Sequence, residues 1–181
     1  MKFRMLGQTM LTAALAIGAA SANTPTDADL AKQVRHEVLM YPRYTLYDDV
    51  SFRVNNGNVE LLGEVTQPYK KQDLGKIVQS IRGVASVTNE LKVLPLSPFD
   101  DQLRMRVTRA IFRDPSLLRY GMGPNSSIHI IVENGHVTLA GSVDTQADKQ
   151  LAGMRAATAG LSFGSIVNNL SVDQPAKSKK S

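Results

Sequence analysis

At 181 residues and 43% hydrophobic content, the chain is long enough for one or two small globular domains. It contains no cysteine, which excludes disulfides, thiolate metal sites, a cysteine nucleophile and a lipidated N-terminal cysteine. The formal net charge is +5, with Lys177, Lys179 and Lys180 crowded into the last five residues.

Residues 1–22 read as a secretory signal peptide rather than as part of the fold. Lys2 and Arg4 form a positive n-region, Met10 to Ala20 is an apolar run broken by Thr12 and Gly18, and Ala20-Ser21-Ala22 is a small-x-small cleavage site. The run is shorter than the roughly 18 apolar residues needed to span a bilayer. Cleavage after Ala22 is expected, leaving a mature net charge of +3 and a periplasmic chain.

After a polar leader, Asp27 or Asp29 is placed to cap a helix that carries Leu30, Val34, Val38 and Tyr41 at near-helical spacing over about residues 28–40, until Pro42 stops it. A tyrosine-rich loop follows. Val50, Phe52 and Val54 then alternate as a strand, and Asn56-Gly57 is the turn signal of a type I′ hairpin. The return strand alternates Val59, Leu61, Gly63 and Val65. Pro68 opens a second helix with Leu74, Ile77, Val78 and Ile81 as its core stripe, and Gly83 is read as its C-terminal glycine. A third strand spans Val87 to Leu94, with Asn89 among its apolar residues.

Beyond a proline-bearing linker at 95–99 the same order returns. Leu103, Val107 and Ile111 match Leu30, Val34 and Val38 at an offset of 73. Residues 134–143 repeat the pattern Asn-Gly-x-Val-x-Leu-x-Gly-x-Val of residues 56–65 at an offset of 78, and Asn168 falls where Asn89 does at 79. The intervening loop, Leu117 to Ser127, is five residues longer than its counterpart. Ordered matches over some 70 residues mark a tandem duplication of one α-β-β-α-β unit. The expected fold is therefore α+β: two tandem domains, 27–94 and 100–173, each with two helices packed on a three-stranded mixed sheet. Residues 174–181 form a lysine-rich tail expected to be disordered. In the second copy the helix stripe becomes Ala152, Arg155, Ala156 and Ala159, which leaves open whether that helix rotates to use Leu151 and Met154 or packs loosely.

The paired Asn-Gly hairpins, together with Gly83-Val84-Ala85-Ser86-Val87-Thr88-Asn89-Glu90-Leu91-Lys92-Val93, resemble the BON (bacterial OsmY and nodulation) domain family. The second copy departs from that closing pattern between Leu161 and Ser165. The resemblance implies a periplasmic protein of the osmotically induced type, associated with phospholipid or the envelope under osmotic or envelope stress.

The motif residues Asn56, Gly57, Gly63, Asn134, Gly135 and Gly141 read as structural, the second glycine of each copy allowing close approach of a helix or a bulge. Asn89 and Asn168 read as satisfying nearby backbone groups. His36, His129 and His136 have no metal spacing, Asp48-Asp49 and Asp100-Asp101 read as loop and cap residues, and no nucleophile elbow, phosphate loop or dinucleotide fingerprint occurs. No enzyme, cofactor or metal is expected. Nucleic-acid binding by a KH-like unit is set aside, because no Gly-x-x-Gly clamp joins two helices.

The stretch open to a functional reading is the first helix of the second copy. Arg106, Arg109 and Arg113 fall on one face, with Arg104 and Arg119 nearby, and Tyr120 and Met122 follow on the longer loop. These residues form a candidate surface for anionic phospholipid headgroups with apolar anchors. The alternatives are a solvated basic face and a soluble, chaperone-like module that binds periplasmic proteins.

Overall fold

The computed structural model describes residues 25–122, 126–160 and 164–173; the expected signal peptide and the lysine-rich tail lie outside them. The chain runs α1 (Asp27–Met40), β1 (Asp49–Asn55), β2 (Asn58–Val65), α2 (Pro68–Gln79), β3 (Ser86–Asn89) and β4 (Lys92–Val93). It then repeats as α3 (Pro98–Phe112), β5 (Ile128–Glu133), β6 (His136–Val143), α5 (Gln146–Gly160), β7 (Ile166–Asn168) and β8 (Ser171–Val172). The longer loop adds a short helix α4 (Pro115–Leu118) and a 3₁₀ turn at Arg119–Gly121.

In each domain the second strand is central, antiparallel to the first and parallel to the third. The third strand comes as two pieces, β3 with β4 and β7 with β8, both on the central strand. The break has a cause. Asn89 accepts from Leu91 N–H (3.2 Å) and donates to the Lys71 carbonyl of α2 (2.7 Å), so its amide ties the strand interruption to the helix. Asn168 does the same with Leu170 and Lys149. Gly75 and Gly153 make room, since a Cβ at either would lie 2.7 Å from the asparagine nitrogen.

Both hairpins turn on asparagine and glycine with positive φ: 50° and 77° at Asn56-Gly57, 51° and 79° at Asn134-Gly135. Each turn is held by an aspartate from the domain's first helix. Asp27 accepts from Asn56 N–H (2.7 Å) and Gly57 N–H (2.9 Å), and Asp100 from Asn134 N–H (2.9 Å) and Gly135 N–H (2.8 Å). The expected capping role is thereby corrected: Thr26 and Ser97 are the N-caps, which frees these carboxylates to reach the turn. Gly63 and Gly141 are required by the neighbouring strand rather than by a helix, because a Cβ there would meet the Asp49 or Ser127 carbonyl at 2.1 or 2.2 Å. Gly83 likewise lies beyond the Ser80 C-cap of α2, and its φ of 99° is imposed where Pro25 and Leu30 close in.

The core of domain 1 joins Val34 and Val38 of α1 to Leu61, Val65, Leu74 and Val78. In domain 2, α5 keeps the repeat's frame: Ala152 and Ala156 are fully buried while Met154 points outward. The volume lost to alanine is refilled by the longer loop, which inserts Leu117 and Tyr120 into the core. Here the expectation of Tyr120 as an outward apolar anchor is overturned.

Candidate functional site

Five arginines were expected on one surface, and the structure divides them. Arg106 and Arg109 on α3 and Arg113 at its C-cap are exposed within a single angular sector, opposite the buried Leu103, Val107 and Ile111. None of the three has an ion-pair partner among the described residues. Arg104 is not on this face. It is 5% exposed, donating to the Asp101 carboxylate (2.5 Å) and the Val132 carbonyl (2.6 Å). Three or seven residues from Val107 and Ile111, it falls on the buried side of the helix.

Tyr120 is also only 5% exposed and cannot act as an interfacial anchor. Its hydroxyl donates to Asp148 (2.9 Å) and accepts from Asp144 N–H (3.0 Å) and Arg119 (2.7 Å). Arg119 stacks on the Tyr120 ring at 4.7 Å and pairs with Asp144 (3.2 Å) and Asp148 (2.9 Å), so its charge is already compensated. The Thr145 hydroxyl, then Tyr120 and Arg119, hold the Asp148 carboxyl below its usual range despite burial. Met122 (66% exposed) and Leu118 (45%) remain as the loop's outward apolar side chains.

The acids around α3 are likewise occupied. Asp101 is bound by Arg104, and Asp114 caps Ser116 and pairs with Arg155 at 2.8 Å. The arginine face therefore carries uncompensated positive charge. Domain 1 has no counterpart to it, since the matching positions on α1 are Gln33, His36 and Met40, all exposed.

Sequence reasoning did not find the polar cluster that organises domain 1. Asp48 is fully buried and accepts from Lys70 (2.6 Å), from the N–H and hydroxyl of Thr66 (2.8 and 2.9 Å), and from the N–H and hydroxyl of Thr45 (2.9 and 2.7 Å). Burial alone would raise the Asp48 carboxyl; Lys70, Thr66 and Thr45 outweigh it and hold it below its usual range. Domain 2 solves the same position with reversed polarity. Asp148 stands on α5 where Lys70 stands on α2, and the Tyr120 hydroxyl takes the Asp144 N–H as Asp48 takes that of Thr66.

With the loop so held, residues 44–47 reach across to domain 2. The Ile130 N–H of edge strand β5 donates to the Leu46 carbonyl (2.7 Å), the Tyr47 and Thr108 hydroxyls lie 3.2 Å apart, and the Tyr44 ring packs on His129 at 5.5 Å. Lys92 and Glu133 add an ion pair at 2.5 Å.

The family model for the BON domain matches residues 26–95 and again residues 99–174. The chain belongs to the BON domain family. Among solved structures, the tandem BON chain is similar to the C-terminal domain of CdsD, the structural protein of the type III secretion system of Chlamydia trachomatis. That match has 17% identity and a TM-score of 0.31, over 82% of this chain and 66% of that one. A second CdsD structure from the same organism matches at 16% identity and a TM-score of 0.29, over 82% and 94%. No curated protein sequence matches. Among the described residues, no group of three or more His, Asp or Glu side chains is placed to hold a metal, and no helix is long and apolar enough to cross a membrane.

Proposed function

We propose that this BON protein is a non-enzymatic module of the cell envelope. It holds to anionic phospholipid surfaces through α3 of its second domain, and from the periplasm it supports envelope integrity or the response to osmotic stress. The observation that carries the reading is the row Arg106, Arg109 and Arg113, exposed and without an ion-pair partner among the described residues, on a helix whose neighbouring acids are each already bound. A compact set of unpaired arginines is attracted to a layer of phosphate headgroups, each basic side chain near the surface contributing about 1 kcal/mol.

Met105, 50% exposed, flanks the same angular stripe, which gives α3 an apolar group to rest against the acyl boundary. The family assignment supports the same direction, since BON domains are associated with phospholipid membranes. Flotation of the mature chain with phosphatidylglycerol vesicles tests it. Co-flotation that weakens with salt, and its absence with phosphatidylcholine alone, is expected. No co-flotation with the anionic vesicles would end this reading.

Periplasmic protein binding is the second reading. One observation favours it: a groove on domain 1 that domain 2 has filled and domain 1 has not.

A further inference from the structure

The first strands of the two domains are buried to different extents, where the repeat predicts sameness. In β5, Ile128, Ile130 and Val132 are completely buried; in β1, the matching Val50, Phe52 and Val54 are only half-buried. The difference is the 44–47 segment. It lies in the groove between α3 and edge strand β5, packing Leu46 and Tyr47 against the core of domain 2 and pairing through the Ile130 N–H. The corresponding groove of domain 1, between α1 and β1, is an open cavity of about 480 Å³ lined by Lys32, Arg35, Leu39, Tyr44, Ser51 and Phe52, among others.

The backbone of β1 is set up for the same pairing. In an antiparallel ladder, alternate residues turn their N–H groups away from the partner strand. The Ser142 N–H donates to the Ser127 carbonyl, so Ile128, Ile130 and Val132 point outward, as the Ile130–Leu46 bond shows. With β1 and β2 in the same register, the outward residues are Val50, Phe52 and Val54. Tyr44 lines the same groove beside Val50. Phe52 stands where Ile130 stands, facing the cavity.

We propose that the α1/β1 groove of domain 1 binds an extended peptide segment of another polypeptide, one that carries a leucine or aromatic side chain next to carboxylates. Its carbonyl accepts from the Phe52 N–H as Leu46 accepts from Ile130. Its apolar side chain fills the space between Val38, Leu39 and Phe52, and its carboxylates meet Lys32 and Arg35 at the rim. Arg35 occupies the position of Thr108, which in domain 2 meets the Tyr47 hydroxyl; the cationic substitution selects an acidic segment. A second copy of this chain does not supply such a segment from its own longer loop, because Leu117 and Tyr120 are turned into the domain 2 core. The lysine-rich tail has the wrong charge for a rim of Lys32 and Arg35.

The probe is a fluorescein-labelled hexapeptide with the sequence of residues 44–49, Tyr-Thr-Leu-Tyr-Asp-Asp, titrated against the mature chain by fluorescence anisotropy. Saturable binding is expected, with peptide-induced amide shifts concentrated on Lys32, Arg35, Ser51 and Phe52. Arg35→Glu should weaken binding at least tenfold. So should Phe52→Pro, which removes an outward N–H that an edge strand can lose without unfolding. Far-UV circular dichroism and the melting temperature verify that both variants fold. A peptide with both aspartates replaced by lysine should not bind. The proposal is overturned by absence of saturable binding, by shifts that map to α3 and β5 instead, or by folded variants that bind as wild type does.

Discussion

The Ile130 amide donates to the Leu46 carbonyl at 2.7 Å, joining the edge strand of one BON domain to a loop of the other. That bond depends on a loop shaped from below by Asp48, whose carboxylate collects the Thr45 and Thr66 groups and the Lys70 ammonium. Interdomain docking is thus coupled to a buried ion pair within domain 1.

Asp48→Ala should destabilise domain 1 by about 3–5 kcal/mol, because it leaves the buried Lys70 charge unpaired. Urea denaturation measures the loss. Hydrogen exchange should also show the Ile130 amide losing protection, although it lies 82 residues from the substitution.

Asp100→Ala strips two turn amides of their acceptor in a place where Gly135 is buried, and should cost about 1–3 kcal/mol. Asp27→Ala removes the same pair of bonds from a more exposed turn and should cost less. Comparing the two variants by chemical denaturation checks the order.

Much of this was legible locally. The hairpins announce themselves because a type I′ turn needs positive φ at two consecutive residues, and Asn56-Gly57 and Asn134-Gly135 supply it. The repeat frame also held through α5, where Ala152 and Ala156 stay inside despite their size. The inward turn of Leu117 and Tyr120 was not legible, since a loop has no period to reveal its buried side. Arg104 was more accessible: its spacing to Val107 and Ile111 places it on the apolar side, and it matches Ala31 in the first copy. The two turn-holding aspartates were also visible, as Asp27 and Asp100 share one place in the repeat. The Asp48–Lys70 cluster joins residues 22 apart, and its domain 2 counterpart, Tyr120 with Asp148, has the opposite polarity, so comparing the two copies does not reveal it and only the folded chain brings it together.

His129 makes the domain interface sensitive to acid. Burial, only partly opposed by Asp49 and Asp48, lowers its pKa below the ordinary 6.5. As pH falls below 6.5 the unfolded chain takes up a proton that the folded chain resists, so stability is lost down to the lowered folded value. Burial raises Asp49 above 3.8, which has the opposite sign: its contribution is lost as pH rises from 3.8 through the raised value. Urea stability should therefore decline on acidification below pH 6.5, and His129→Phe should flatten that part of the profile.

Gly141→Ala forces a Cβ to within 2.2 Å of the Ser127 carbonyl at a φ of 101°. The strand pair cannot relax without breaking register, and a loss of at least about 2 kcal/mol is expected in thermal or urea unfolding.

The central claim is that the basic face of α3 holds the protein to anionic lipid, and vesicle partitioning tests it most directly. At about 1 kcal/mol per residue, replacing Arg106, Arg109 and Arg113 together by alanine should lower partitioning onto phosphatidylglycerol vesicles about 100-fold. Replacing Lys32 and Arg35 on domain 1 should leave it unchanged. Equal partitioning of the wild type and the triple variant would contradict the account.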